Sequence, residues 1–144
     1  IMAMGAKPDG EPLKFGVRDP RGGGNDYIAV VTLSDTTMAT SGDYERYFER
    51  DGVRYHHILD PATGRPADTG LMSVSVVSPD GVLADSMSTW LFIKGRDYVL
   101  ENLNALSCGL VVIDRERNVY VSNDLLDRFT PADPGGSYHF EVPS

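Results

Sequence analysis

Residues 72–95, MSVSVVSPDGVLADSMSTWLFIKG, combine a strand pattern with a helix pattern. In residues 72–78 valines alternate with serines, and this period of two predicts a half-buried strand. Residues 81–94 contain no internal proline or glycine, and they lie between Asp80 and Gly95, which are typical helix start and stop residues. The segment therefore predicts a strand that leads directly into a helix.

Shorter apolar runs on both sides of this segment predict further strands. Upstream, β-branched and aromatic residues bounded by turn residues predict strands at residues 13–18, 27–33, 44–49 and 53–59. Asp51-Gly52 joins the last two and favours a tight hairpin turn. Downstream, we predict a helix at residues 96–103, a hairpin of residues 109–113 with 119–121, and a closing strand at 138–142. Runs of strands with segregated helices predict an α+β fold with a mostly antiparallel sheet.

Length and composition indicate one ordinary globular domain. The chain has 144 residues, of which 41% are hydrophobic and 24% are charged, and both fractions are close to globular averages. A chain of this length buries enough surface for a single core, so we expect residues 1–144 to form one domain. Because the chain opens at Ile1 on apolar and small residues, we also expect that upstream sequence has been lost or is encoded separately.

Charge and cysteine content exclude several function classes. The formal net charge of -8 and the isoelectric point near 4.7 argue against sequence-independent nucleic-acid binding, which needs Lys and Arg to neutralise phosphates. A phosphate ligand would therefore need a metal cation. The single cysteine, Cys108, lies in an apolar run and is predicted to be a small buried residue, not a nucleophile. The sequence contains neither an apolar run of membrane-spanning length nor a secretory signal pattern.

Asp85 and Thr89 form the first candidate site. Their four-residue spacing places both side chains on one face of the predicted helix, one turn apart. A carboxylate and a hydroxyl supply the hard oxygen ligands that suit Mg²⁺, which takes its remaining ligands from water and substrate phosphate. The alternative is a solvated helix face on which Thr89 bonds back to a main-chain carbonyl, and the spacing alone favours that alternative.

Two adjacent histidines lie in the strand predicted at residues 53–59. Because side chains alternate along a strand, His56 and His57 are predicted to point to opposite faces. One of them can then face a cleft, where a histidine of near-neutral pKa can take a proton from a hydroxyl. The residues alone favour the alternative, a pair of ordinary strand histidines. A dihistidine metal site is disfavoured because the two side chains diverge.

Two polar segments between predicted strands offer further candidates. The hydroxyls and main-chain amides of Thr40, Ser41 and Gly42 can bind a ligand, and Asp60 begins a turn rich in proline and glycine. The commoner use of such residues is structural, with Asp43 and Asp60 accepting N–H bonds within their own turns. The residues alone favour this structural role.

Three motifs follow one another along the chain: ATSGDY at residues 39–44, YHHILDPATG at residues 55–64 and ADSMST at residues 84–89. In this order and at these separations they resemble the ApbE family of FAD:protein FMN transferases. A fourth family motif is similar to GAKPDG at residues 5–10 with Asp19-Pro20. The resemblance covers nearly the whole chain and implies an ApbE-like fold, also described as T-fold-like.

The resemblance also implies roles for the candidate residues. Asp85 and Thr89 would hold Mg²⁺ against the diphosphate of the substrate FAD. His57 would take the proton from a Ser or Thr hydroxyl of an acceptor flavoprotein. The acceptor oxygen would attack the flavin-side phosphorus, form a phosphoester with FMN and release AMP. The residues implied as FAD contacts are Thr40, Ser41, Gly42, His57 and Asp60.

Other expectations come from the resemblance alone. Family members are longer than this chain, and their first segment contributes flavin contacts and a main-chain ligand to the metal. Many members are exported and lipid-anchored, so we expect a location at the periplasmic face of the bacterial inner membrane. Two alternatives to transfer stay open: Mg²⁺-dependent hydrolysis of FAD to FMN and AMP, and non-catalytic binding of FAD.

Overall fold

The computed structural model describes residues 1–133 and 135–141. The strands in chain order are β1 (Met2–Ala3), β2 (Leu13–Arg18), β3 (Tyr27–Leu33), β4 (Thr36–Gly42), β5 (Tyr47–Arg50), β6 (Val53–His56), β7 (Leu71–Ser78), β8 (Gly109–Asp114), β9 (Asn118–Val121), β10 (Phe129–Pro131) and β11 (His139–Glu141). Helices α1 (Gly81–Lys94) and α2 (Arg96–Glu101) lie between β7 and β8, and a 3₁₀ helix (Asn123–Arg128) precedes β10.

A central sheet has the strand order β1-β4-β7-β8-β9-β11. Its neighbouring strands are antiparallel except β9 and β11, which run parallel. A second sheet has the order β10-β3-β2, and β5 with β6 forms a separate two-stranded ribbon. The predicted α+β class with a mostly antiparallel sheet is therefore confirmed.

Helix α1 covers one face of the central sheet. It begins after Asp80, whose carboxylate accepts hydrogen bonds from the Val82 and Leu83 N–H groups at 2.9 and 3.1 Å. Its buried side chains pack against the apolar side of β7 and β8. It ends at Gly95, whose φ of 89° favours glycine. Both predicted ends of this helix are confirmed.

The prediction that β7 is half-buried is wrong, because all of its residues are buried. Val74 and Val76 pack in the apolar cluster beneath α1, whereas Met72 belongs to the cluster that the second sheet shares with the central one. The strand thus lies between two layers. Ser73 and Ser75 are each 1% exposed, so small hydroxyl residues here alternate with valine inside the protein, not toward solvent.

The bounds of β2 and β3 match the prediction, but α2 and the two strands of the ribbon are shorter than predicted. Helix α2 stops before Asn102, whose side-chain amide donates to the Tyr98 carbonyl at 2.9 Å and so closes the last turn. Strand β6 stops at His56 because the chain beyond it turns, and Leu59 makes only an isolated bridge to Pro66. The turn at Asp51-Gly52 is confirmed, with φ values of 53° and 74°.

Strand β4 is the main element that the sequence patterns miss. Thr40, Ser41 and Gly42, predicted to lie between strands, are its last three residues and pair in register with β7. Small and hydroxyl residues dominate β4, so its strand character depends on the partner strand more than on its own apolar pattern. Strand β1, strand β10 and the 3₁₀ helix are also missed.

The structure also bears on the predicted closing strand, on Cys108 and on membrane-spanning helices. The closing strand is confirmed as His139–Glu141, while Val142, which the prediction included, lies outside the described residues. Cys108 is 6% exposed as predicted, and burial raises the pKa of its thiol. Over residues 1–133 and 135–141, no helix is long and apolar enough to cross a membrane.

Candidate functional site

The predicted metal ligands lie on α1 beside the end of β4. Asp85 and Thr89 are one turn apart on the helix, and both are exposed. Thr89 Oγ1 lies 2.9 Å from Ser41 Oγ of β4. The structure thus brings the predicted metal pair together with one predicted FAD contact, although Ser41 and Thr89 are 48 positions apart in sequence.

Ser88 joins this group and was missed by the sequence patterns. Its Oγ lies 2.9 Å from Ser41 Oγ and donates to the Asp85 carbonyl oxygen at 2.9 Å. Ser88 is 1% exposed, so its hydroxyl is sheltered from solvent. The sequence signal was limited to its place beside Thr89, because its partner Ser41 lies 47 positions away. We call Ser41, Asp85, Ser88 and Thr89 the hydroxyl–carboxylate cluster.

The alternative of a solvated helix face is confirmed in that Asp85 and Thr89 are exposed, but its second part, a Thr89 hydroxyl bonded back to a main-chain carbonyl, is wrong. The Asp85 carbonyl accepts its hydroxyl hydrogen bond from Ser88, and the Thr89 hydroxyl bonds to Ser41 on the neighbouring strand. Thr89 therefore takes part in contacts between α1 and β4, while its exposed side chain also faces solvent.

The donor set of the hydroxyl–carboxylate cluster fits Mg²⁺. Carboxylate and hydroxyl oxygens are hard ligands, which this ion prefers. Within the part of the chain that the structure describes, no three His, Cys, Asp or Glu side chains are grouped so as to hold a metal ion. A cation here would take one carboxylate from Asp85 and complete its shell with hydroxyl, water or phosphate oxygens, which is the usual arrangement for Mg²⁺.

The two histidines differ in burial, although β6 ends at His56 and the predicted strand alternation therefore does not extend to His57. His56 is 6% exposed, its Nε2 lies 3.1 Å from the Ala67 carbonyl oxygen, and its ring packs edge-on against Phe92 at a centroid distance of 5.6 Å. Burial lowers the pKa of His56. His57 is exposed, and its main-chain N–H donates to the Arg46 carbonyl at 3.0 Å. His57 is therefore the histidine that a second molecule can reach.

Phe92 lies between His56 and the hydroxyl–carboxylate cluster. It is fully buried on α1, about one helical turn beyond Thr89, and it contacts the His56 ring. His56 and the cluster consequently lie on the same side of the central sheet, the side that α1 covers.

A cleft of about 930 Å³ opens beside His56. Its wall includes Asp43, which pairs with Arg21 through two N–O contacts of 2.7 Å and lies 3.7 Å from Arg54. Among the described residues, His56 Nδ1 and Arg54 Nη1 are buried without a hydrogen-bond partner. Such atoms are rare in folded proteins, and both residues line the cleft. The sequence patterns assigned Asp43 only a turn role, because its arginine partners are distant in sequence.

Thr40 and Gly42 lie close to Ser41 but do not join the cluster. The Thr40 hydroxyl lies 2.7 Å from Ser75 Oγ on the sheet face opposite Ser41, because adjacent side chains of a strand alternate. A Cβ at Gly42 would collide with the Tyr44 ring, so the packing itself requires glycine there.

Asp60 has a turn role that the structure makes explicit. Its carboxylate accepts the Ala62 N–H at 2.9 Å, and its main-chain N–H donates to the Arg65 carbonyl at 2.8 Å. Asp60 also lines a cavity of about 450 Å³ together with Lys94 and Arg96 from the end of α1 and the start of α2. This predicted FAD contact is therefore accessible from the α1 side of the sheet.

Known proteins resemble this chain in both sequence and fold. Residues 1–113 match the model described as the ApbE family. The chain is 52% identical over 82 residues to an FAD:protein FMN transferase of Treponema pallidum. This alignment covers 57% of this chain and 23% of the relative. It is 37% identical over 123 residues to an FAD:protein FMN transferase of Haemophilus influenzae. This alignment covers 85% of this chain and 36% of the relative.

A solved structure extends the match to three dimensions. The ApbE protein of Thermotoga maritima superposes with a TM-score of 0.74 at 41% identity, over 83% of this chain and 39% of that protein. The chain thus spans 23% to 39% of the length of these three proteins. Because the family model covers most of its residues and the fold agrees, this chain belongs to the ApbE family.

Proposed function

We propose that this chain takes part in transferring FMN from FAD to a Ser or Thr hydroxyl of an acceptor flavoprotein, with release of AMP. The observation that carries the proposal is the hydroxyl–carboxylate cluster, a hard-oxygen site in an acidic chain whose relatives are named FAD:protein FMN transferases. A cation at this cluster would neutralise charge on the diphosphate, and the cluster offers hard oxygen ligands for one.

In this proposal Asp85 and Thr89 hold Mg²⁺. When bound, the ion neutralises charge on the diphosphate and on the leaving phosphate. Asp85 is exposed and so remains available as a ligand, and Thr89 is held in place by its contact with Ser41. The carboxylate supplies the charge, while the hydroxyl supplies a neutral oxygen of defined position.

His57 acts as the general base in this reaction. Its neutral ring accepts the proton of the acceptor hydroxyl, the acceptor oxygen forms a bond to the flavin-side phosphorus, and the bond from that phosphorus to the AMP oxygen breaks. The exposure of His57 supports the assignment, because the acceptor is itself a protein that must approach the ring. His56, packed against Phe92, fixes the backbone that carries His57.

The predicted FAD contacts receive unequal support. Ser41 lies on the side of the sheet that α1 covers, Asp60 lines a cavity at the end of α1, and His57 is exposed, so we keep these three as the proposed side-chain contacts with FAD. The Thr40 hydroxyl is bonded to Ser75 on the opposite face, so we propose that Thr40 and Gly42 contact FAD through their main-chain groups. The cleft beside His56, which Arg54 also lines, is an additional place that we propose for part of FAD.

We also propose, from the family resemblance alone, that the protein acts at the periplasmic face of the bacterial inner membrane through a lipid anchor encoded outside this chain. Separating periplasmic, membrane and cytoplasmic fractions of the source cell and detecting the protein with an antibody tests the proposal. Recovery in the cytoplasmic fraction contradicts it.

The function is tested by the intact mass of a candidate acceptor after incubation with FAD, Mg²⁺ and the protein as its gene encodes it. A mass gain of one FMN that disappears with a chelator, and that is absent from an acceptor whose hydroxyl residue is replaced by Ala, supports transfer. Free FMN and AMP without a mass gain contradict transfer and indicate hydrolysis. Bound FAD without AMP release contradicts both reactions and indicates a binding module.

A further inference from the structure

Three hydroxyl groups in the hydroxyl–carboxylate cluster are linked one after another. Thr89 Oγ1 lies 2.9 Å from Ser41 Oγ, Ser41 Oγ lies 2.9 Å from Ser88 Oγ, and Ser88 Oγ lies 2.9 Å from the Asp85 carbonyl oxygen. The chain starts at an exposed side chain and ends at a main-chain carbonyl. It connects β4 to α1 through side chains, in addition to the apolar packing of the helix.

The hydrogen bond between Ser88 and the Asp85 carbonyl determines the direction of the other two hydrogen bonds. A carbonyl oxygen only accepts, so Ser88 donates its single hydroxyl proton to Asp85. Ser88 therefore has to accept from Ser41, and Ser41, whose proton is then used, has to accept from Thr89. Thr89 is consequently the first donor of the chain, and its own oxygen receives no hydrogen bond from Ser41 or Ser88.

This direction leaves the Thr89 oxygen suited to a cation. Its proton points toward Ser41, so its lone pairs are directed away from the β4 contact, toward the exposed side of α1. A neutral hydroxyl that binds a cation must present a lone pair and place its proton elsewhere. The buried positions of Ser41 and Ser88, 9% and 1% exposed, shield the two inner links from competition with water.

We propose that Ser41 and Ser88 are positioning residues that orient the Thr89 hydroxyl toward the metal ion. The proposal rests on the proposed function, because it takes Thr89 as the Mg²⁺ ligand. Ser41 gains a role that differs from its predicted contact with FAD. It acts through Thr89 by accepting the proton that would otherwise point toward the cation.

The test measures metal affinity without any reaction. Mn²⁺ replaces Mg²⁺ as a probe, and the loss of its free-ion electron paramagnetic resonance signal gives Kd for the protein without FAD. The variants are Thr89→Ala, Ser41→Ala and the double variant of both. The matched control is Ser86→Ala, which removes a hydroxyl that bonds back to the Val82 and Leu83 carbonyls of the same helix.

We expect Ser41→Ala to raise Kd about tenfold, since residues that orient a metal ligand typically contribute about 10- to 100-fold. The double variant should bind Mn²⁺ no more weakly than Thr89→Ala alone, because Ser41 acts only through Thr89. Ser86→Ala should leave Kd unchanged. Thermal unfolding in the presence of a chelator checks that each variant is folded.

Two outcomes overturn the proposal in different ways. If Thr89→Ala impairs binding but Ser41→Ala does not, or if the two effects multiply in the double variant, the positioning role is wrong and the metal assignment stands. If the unmodified protein and Thr89→Ala bind Mn²⁺ equally, or if neither binds it, the metal assignment fails and the positioning role fails with it.

Discussion

The hydroxyl–carboxylate cluster and the β5–β6 ribbon are the two regions that the proposed function joins, and they are built in opposite ways. The cluster rests on a helix whose inner face is fully buried, with Leu91 and Phe92 at 0% exposure. In the ribbon every residue of β5 is exposed, and Phe48 alone is 62% exposed. The cluster is anchored on the core through this helix, whereas β5 lies on the surface.

The exposed face of the ribbon is held by contacts between its own side chains. Phe48 stacks on Tyr55 with ring centroids 5.1 Å apart, and the Arg54 guanidinium lies 4.0 Å from the centre of the Tyr47 ring. His57 follows directly after it. In the proposed function the two regions need different supports, because a metal ligand needs a fixed position and a residue that meets another protein needs access.

The largest expected effect separates the two adjacent histidines. His57→Ala should lower FMN transfer about 100- to 10 000-fold, the usual contribution of a general base, without a change in unfolding temperature. His56→Ala should mainly lower the unfolding temperature, because His56 is buried against Phe92. Acceptor mass spectrometry and thermal melts measure both. Normal transfer by His57→Ala would remove it as the base.

The next largest effect is expected at Asp85 in the hydroxyl–carboxylate cluster. Asp85→Ala should lower transfer more than about 100-fold, since even residues that only orient a metal ligand contribute about 10- to 100-fold. Its unfolding temperature should stay the same because Asp85 is exposed. Asp97→Ala, which removes an exposed carboxylate from α2, is the control. Unchanged transfer by Asp85→Ala, measured over a range of Mg²⁺ concentrations, contradicts its role as a ligand.

A pair of phenylalanine variants tests the difference in support directly. Phe92→Ala should reduce the free energy of unfolding by about 3–5 kcal/mol, as expected for a large buried aromatic residue. Phe48→Ala should cost about 1 kcal/mol or less, because it removes one stacked contact at the surface. Urea unfolding of both variants gives the two values. Equal losses would show that the ribbon supports the fold as much as α1 does.

The smallest effect is a dependence of stability on pH. Burial holds the pKa of His56 below its ordinary value of 6.5, so below that pH the unfolded chain binds more protons than the folded one at this residue. The contribution of His56 to the free energy of unfolding is fully present above pH 6.5 and declines as the pH falls toward the lowered pKa. Urea midpoints at several pH values measure the decline, which should persist in His57→Ala and diminish in His56→Ala.

Strong local signals made part of the fold and site predictable. The runs at residues 13–18 and 27–33 have apolar and β-branched patterns that need no distant partner, and Asp80 with Gly95 marks both ends of α1. The i, i+4 spacing likewise places Asp85 and Thr89 on one helix face from geometry alone. Strand β4 has no such pattern, and the serines of β7 alternate with valine in a strand buried on both faces.

By itself, the sequence determined the α+β class, the central helix and the motifs that connect this chain to its family. Tertiary structure decided which of the two histidines is buried, which face of β4 meets α1, and which hydroxyls touch. Ser41 and Thr89 are 48 positions apart, and their 2.9 Å contact exists only because β4 pairs with β7 beneath the helix. Hydrogen bonds act over a few ångströms in space, so their partners follow from packing, which local sequence patterns do not encode.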